Sequence, residues 1–350
     1  MFSDHLNERE KNILRYVIQQ FVLTATPVGS RNITKKYHLG ISPATVRNIM
    51  SDLEESGFID HPHTSAGRVP TDKGYRFYVD SLMDLQLISK PERKIIHKEL
   101  DGQTFETDEL LKIVSSLLSN ITRQLACVTY PKLESGVLEK LQLLSLSSTR
   151  LLVVISISAG LVKTITIELA AEIDSAKLEI VQRILNERLN GLTFKEIRTT
   201  FRDRFKDIHE NQRAIIRLFY DSVDKIFKDN IGNENIMITG AKNVIKQPEF
   251  ENPDKFHSVI ELIEDKDIVI HIVDKSDQKS SNGVFISIGS ENENQKLSEY
   301  SFVSKKYELG DSSGTLGIIG PKRMDYDKVV AIVDYVAKIL TELLKHEKTK

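Results

Sequence analysis

Ser42-Pro43 opens a run in which Val46, Ile49, Met50 and Leu53 recur at helical spacing until Gly57 stops it. Serine is a strong helix N-cap, proline at the first helical position gives up an N–H that would have no partner there, and glycine closes a helix in the left-handed conformation. A helix over 42–57 follows, with a buried stripe that must pack on something. The preceding residues supply it. Asn7, with Glu10 three residues on, caps a helix over 7–23 that carries Ile13, Val17 and Phe21, with Leu14 and Ile18 beside them. Thr26-Pro27-Val28-Gly29 breaks the pattern, and Ser30 starts a short helix to His38 with Ile33 and Tyr37 inward. Leu39-Gly40-Ile41 makes a tight turn. Beyond Gly57, Phe58-Ile59 and Arg68-Val69 read as two short strands around a polar loop, 60–67. Helices joined by a glycine turn and followed by a two-stranded hairpin are the order of a winged helix-turn-helix, expected over residues 1–75.

The chain's net charge of −2 says nothing of nucleic acid, so the case is local. Between Val28 and Ser51 the charged side chains are Arg31, Lys35, Lys36 and Arg47, with no acid among them. The helix from Ser42 presents Ser42, Ala44, Thr45, Arg47 and Asn48 near its N-terminus, and its acids, Asp52, Glu54 and Glu55, fall in the C-terminal half. Its N-terminal end therefore suits phosphate, aided by the helix dipole, and its far end is repelled. Arg47 can pair with guanine or phosphate, Asn48 with adenine, and Thr45 can touch a thymine methyl. The loop with Thr64 and Ser65 ends in Arg68 and has no acid after Asp60, as suits a wing lying on the DNA backbone or minor groove. His61 and His63 lack a third ligand nearby, so no metal is expected.

Thr71 caps a further helix carrying Tyr75, Tyr78, Val79, Leu82 and Leu85, and 88–106 reads as a partly helical linker. An amphipathic helix is expected over 107–127, strands over 138–146, 150–157 and 161–168, and a helix from Asp174 or Ser175 to Asn190. Helices over 194–201 and 208–228, a strand over 235–239, a helix over 254–264 and a strand over 268–273 follow, then a turn-rich stretch, 274–283. Strands return at 284–289, 300–308 and 314–319, and a helix covers 326–345. The fold class expected is multidomain α+β, with a sheet domain over 107–190 and 281–345 that resembles the GAF/PAS sensors. A helix-rich insert over 191–280 interrupts it, and 76–106 is helix and linker. Phe201, Phe205, Phe219, Tyr220 and Phe227 are more aromatics than a solvated insert needs, which points to a dimer contact there, with an internal core as the competing use.

With 40% hydrophobic and 28% charged residues the chain reads as a globular protein with a sizeable core. No signal peptide and no apolar run of membrane-spanning length is seen, so a cytoplasmic protein is expected. Cys127 is the only cysteine and lies in an apolar pattern, the place of a small buried hydrophobe. No P-loop is present, and Gly314, Gly317 and Gly320 are spaced three apart, which fits no dinucleotide fingerprint. No cofactor and no enzyme activity is expected. The rival to a DNA-binding repressor is a regulator whose sheet domain senses a small molecule, although apolar strands build a core whether or not a ligand binds.

The stretches PVGSR, SPATVRN, HTSAGRVPT and KGYR, with QPEF at 247–250 and GPKRMDY at 320–326, resemble the heat-inducible transcription repressors, the HrcA family. The resemblance spans essentially the whole chain. It implies a homodimer that binds an inverted-repeat operator in double-stranded DNA and represses chaperone operons. It further implies a winged helix, a GAF-like domain and an inserted dimerisation domain, with a GroEL-type chaperonin keeping the repressor active. Ser42, Thr45, Arg47, Asn48 and Arg68 match the family's DNA-binding motif.

Overall fold

The computed structural model describes residues 6–62, 67–84, 87–100, 107–158, 161–168, 175–208, 210–227, 236–279 and 283–346. Helices α1 (Glu8–Thr24), α2 (Ser30–Tyr37) and α3 (Pro43–Glu55) lead into a hairpin of β1 (Ile59–Asp60) and β2 (Val69–Pro70). Then come α4 (Asp72–Phe77), α5 (Lys90–Leu100) and α6 (Thr107–Thr122). The expected single helix after Thr71 is α4 continued by a π-helical turn, Tyr78–Leu82.

Strand β3 (Leu125–Thr129) follows α6 at once. The helix expected to reach residue 127 ends early, because Arg123 adopts a left-handed conformation with φ 58°. Leu125, Ala126 and Cys127 then enter the sheet, and a short apolar run of this kind fits either element until its partners are known. Strands β4 (Leu138–Ser147), β5 (Arg150–Ile157) and β6 (Leu161–Glu168) precede α7 (Ser175–Leu189), α8 (Phe194–Arg204) and α9 (Glu210–Phe227). The chain continues through β7 (Ile236–Thr239), α10 (Ala241–Val244), α11 (Pro253–Glu264) and α12 (Lys266–Lys279). It ends with β8 (Phe285–Ile288), β9 (Tyr300–Leu309), β10 (Ser312–Pro321) and α13 (Tyr326–His346). The strand expected at 268–273 and the expected turns as far as Lys279 are α12 instead. Ile268, Val269, Ile272, Val273 and Ser276 are its buried residues, at helical spacing, and tertiary packing overrides the β-branched preference.

Among the described residues the strands form three sheets: the hairpin, a five-stranded antiparallel sheet ordered β7-β3-β10-β9-β8, and a three-stranded antiparallel sheet ordered β4-β5-β6. Period-2 alternation splits the five-stranded sheet's side chains. Ala126, Val128, Leu316 and Ile318 face one core with α6 and α13, and Leu125, Cys127, Phe302 and Ile319 face another with α11 and α12. Cys127 is buried, and burial pushes its thiol up to about 12.

This partition corrects the expected domain bounds. Strands 138–168 do not join the sheet of 281–345; they carry α7, α8 and α9 on one face and close a core of their own. Segment 236–279 packs on the five-stranded sheet and is not part of an insert. The excursion runs from β3 to β7, and these two strands are antiparallel neighbours with Thr129 opposite Ile236. Phe201, Phe205, Phe219 and Phe227 are buried in the excursion's core and Tyr220 packs on it, so the competing use of those aromatics is the one observed.

The α1–α4 unit shares one continuous apolar core with α13 and the five-stranded sheet. Beside it, the buried Tyr78 hydroxyl donates to Asp327 at 2.6 Å. Burial pushes the Asp327 carboxyl above its ordinary value; the Tyr78 hydroxyl opposes this, Asp325 and Asp84 add to it, and Arg15 opposes it. A carboxyl raised by folding binds its proton more tightly in the folded state. Its contribution is therefore fully present below the unfolded pKa and is lost as pH rises through the folded one. Asp327→Asn is expected to match the parent in acid and to exceed it at neutral pH by no more than about 1 kcal/mol, the scale of one hydrogen bond. Urea midpoints from pH 4 to 8 test this, and a deficit at pH 7 that vanishes in acid would reverse the sign.

Candidate nucleic-acid interface

The geometry starts at the cap of α3. The Ser42 hydroxyl accepts the Thr45 backbone N–H at 3.1 Å and lies 3.0 Å from the Thr45 hydroxyl, while Pro43 occupies the first turn. Val46, Met50 and Leu53 are buried, which turns Ser42, Ala44, Thr45, Arg47 and Asn48 outward, all exposed. Gly57, with φ 77°, ends the helix as expected, and the Phe58 N–H returns to the Leu53 carbonyl at 2.9 Å.

Helix α2 lies against α3 and α1, with Ile33 buried and the Tyr37 ring stacked on Tyr16 at 4.0 Å. Arg31, Lys35 and Lys36 are exposed on it, and Lys36 reaches Gln20 at 2.6 Å. His38 and Gly40 take left-handed conformations in the turn to α3. The structure thus leaves Arg31, Lys35, Lys36, Thr45, Arg47 and Asn48 accessible, with the Ser42 and Thr45 hydroxyls committed to the cap.

Arg68 departs from expectation. Its Nε and Nη2 both lie 2.6 Å from Glu54 Oε2, and the other Glu54 oxygen bonds His61 Nδ1. Glu54, one of the acids in the C-terminal half of the helix, is the brace that ties the hairpin to the end of α3. The signal for it was weak: an acid at the end of one helix and a base beyond the next turn. Val28 was also missed. It exchanges backbone hydrogen bonds with Arg68 at 2.8 and 2.9 Å, which joins PVGSR to the hairpin. Gly67 allows that approach, since a Cβ there would lie 2.6 Å from the Val28 carbonyl. Thr64 and Ser65 lie outside the described residues, as do His63 and Asp174.

Glu54, Asp60 and His61 bring ligand atoms within 4.8 Å of one another. Arg68 already occupies the Glu54 carboxylate, so a divalent cation would have to displace a guanidinium; the cluster's chemistry is that of an ion-pair brace.

The second place of interest is where the quoted motifs meet. Tyr75 of KGYR packs 5.9 Å from Tyr326, and Arg323 bonds both Gln247 and Glu249. The Asp72 carboxyl is raised by burial, but the Ser290 backbone N–H, Lys322 and the Ser290 hydroxyl together bring it below the usual carboxylate value.

Comparison with known proteins gives a consistent result. The HrcA protein C terminal domain matches residues 108–330. A heat-inducible transcription repressor HrcA of Chlorobium phaeobacteroides (strain BS1) is 40% identical over 352 residues, covering 98% of this chain and 99% of that one. Its counterpart in Chlorobaculum tepidum is 42% identical, covering 97% and 98%. A crystal structure titled as a hypothetical protein shares the fold, with a TM-score of 0.58 and 23% identity over 98% of this chain and 99% of that one.

Proposed function

The chain belongs to the HrcA family of heat-inducible transcription repressors, and from that premise we propose that α1–α3 and the β1–β2 hairpin are a winged helix-turn-helix that reads double-stranded DNA with the first turns of α3. The observation that carries this reading is the exposed, acid-free surface formed by α2 and the N-terminal half of α3. Arg47 and Asn48 reach base edges, and Thr45 offers its methyl because its hydroxyl is held by Ser42. Arg31, Lys35 and Lys36 contact phosphates. Arg68 acts through Glu54, setting the angle of the wing whose tip, with Thr64 and Ser65, lies on the backbone or minor groove.

The operator is an inverted repeat, so the protein acts as a dimer. We assign the dimer contact to the excursion between β3 and β7. One face of its sheet is covered by α7–α9; the other presents Leu144, Leu152, Val154 and Val162 among Gln142, Thr164 and Thr166, and Leu144, Leu146 and Val162 are more than half exposed. Charge on this face is confined to its ends, at Lys140 and at Arg150 and Glu168, and an exposed apolar centre of this kind on a monomer marks a contact surface.

The five-stranded sheet with α6 and α13 is the GAF-like domain. A cleft of about 450 Å³ beside β9 and α13 is lined by Lys305, Lys306, Glu308, Thr341 and Lys345. Its lysines bond Asp334, the Asp277 carbonyl and Glu308, so this cleft does not favour the small-molecule reading. Among the described residues no helix is long and apolar enough to cross a membrane. The protein works in the cytoplasm on chaperone operons.

The state of folding is the switch in this account. β3 cannot meet β7 until the whole excursion has been made, and long-range pairing is slow and exposes apolar surface. A GroEL-type chaperonin would rescue such a chain, and heat would divert the chaperonin to other clients. Denatured protein refolded with chaperonin and ATP is expected to give a several-fold higher yield of operator-competent dimer than protein refolded alone. Equal yields, with binding restored by a metabolite from cell extract, would favour the ligand sensor.

A further inference from the structure

The four residues between β10 and α13 hold the DNA-reading unit from two sides. Arg323, 13% exposed, forks onto Glu249, with Nε on one oxygen and Nη2 on the other at 3.1 Å, and Nη2 also meets Gln247 at 3.2 Å. Its Nη1 donates to the carbonyl of Val22, in the last turn of α1. The final carbonyls of a helix have no partner within it and carry the negative end of the dipole, and α1 has no basic residue of its own in that turn. Arg323 therefore caps α1 from the far end of the sequence while anchored to the sheet body.

Its neighbour Lys322 pairs with Asp72 at 3.1 Å, at the start of α4. Asp72 also accepts the Ser290 N–H at 2.8 Å, and Gly289 leaves the room: a Cβ there would sit 2.3 Å from the Asp72 carboxylate. Arg76 of α4 bonds Glu291 and the Ile286 carbonyl, the latter at 2.9 Å. Tyr326 and Asp327 complete the turn against Tyr75 and Tyr78. The contacts lie on both α1 and α4, so they oppose rotation as well as separation.

We propose that Arg323 and Lys322 are positioning residues for operator recognition: by clamping the α1–α4 unit to the sheet body they fix the distance between the two reading helices of the dimer, and so set the half-site spacing that the protein accepts. This rests on the operator reading above. A helix that is rigidly held can enter only grooves that recur at its own repeat. A unit swinging on the linker after α4 would accept half-sites in several phases.

The test uses the full-length protein and a panel of inverted repeats whose spacer is native or altered by about 2 or about 5 base pairs, the latter half a helical turn. A single half-site and random DNA are measured beside them. The parent is expected to lose roughly tenfold or more in affinity on the altered spacers. Arg323→Ala is expected to bind the single half-site as the parent does, to bind the native repeat more weakly, and to discriminate among spacers by no more than about threefold. Lys322→Ala, whose partner Asp72 keeps its Ser290 bond, should flatten the profile in the same direction and covers the case in which Arg323→Ala does not fold. If either folded variant keeps the parent's relative spacing profile, at whatever affinity, the clamp does not set spacing. If the parent itself does not prefer the half-site to random DNA, the operator reading fails first and the proposal falls with it.

Discussion

Excising residues 133–234 and joining the ends with a short Asn-Gly turn is expected to leave a folded monomer that binds a single half-site normally and a full inverted repeat poorly. The cut is dictated by the sheet. Thr129 and Ile236 are partners across β3 and β7, so the ends to be joined already lie side by side in an antiparallel pair. Lys132 stays and keeps its contacts with Asp274 and Asp277. The removed segment takes its own core with it, because the cluster of Leu141, Val153, Ile155, Val181, Phe194, Phe201 and Phe219 holds none of the buried residues of the other two cores. What is lost is the apolar outer face of β4-β5-β6. Two linked reading heads gain roughly 10²–10⁴ in affinity over one, and that is the drop expected on the full repeat. Sedimentation and DNA titration of one preparation measure both quantities. A normal dimer would remove the contact from this segment; a monomer with undiminished affinity for the full repeat would remove the need for a dimer.

The same excursion shows what can be read in advance. The boundaries of α1, α3 and the turn at Gly57 were legible because they depend on neighbours in sequence: Asn7 with Glu10, Ser42 with Thr45, Gly57 with Glu54. The helices and strands inside the excursion were legible for the same reason. Their assignment to a sheet was not. Which strands share a sheet depends on partners far away, and β4–β6 would suit either sheet by composition. The misread strand at 268–273 has a similar cause. Ile268-Val269-Ile270 prefers a strand locally, but a helix puts Val269, Ile272 and Val273 on the apolar face of the five-stranded sheet. In the candidate interface the exposed row on α3 followed from the cap and the stripe. The Arg68–Glu54 pair did not, since a base beside an acid-free loop looks equally well like a phosphate contact. QPEF and GPKRMDY stood out as motifs, but only the fold brings them together around Arg323.

The central claim is that the N-terminal turns of α3 read bases while α2 supplies charge, and substitution separates the two. Arg47 is exposed on the second turn of α3, one face round from the buried Val46 and Met50, so its replacement by alanine removes no core contact. A paired Arg–guanine contact contributes about 1–3 kcal/mol of discrimination. Arg47→Ala should therefore lose roughly 5- to 150-fold on the operator and little on random DNA. Lys35, exposed near the end of α2, meets phosphate in this account, and phosphate carries no sequence. Lys35→Ala should weaken operator and random DNA alike and lower the salt slope by about 1, the release of one counterion. The measurement is one titration series: the parent protein, Arg47→Ala and Lys35→Ala on operator and on random DNA, at salt from low to physiological concentrations. The account predicts that the Arg47→Ala loss is confined to the operator and that the Lys35→Ala loss is shared by both DNAs. Unchanged operator affinity for Arg47→Ala would contradict the assignment of α3 as the reading helix.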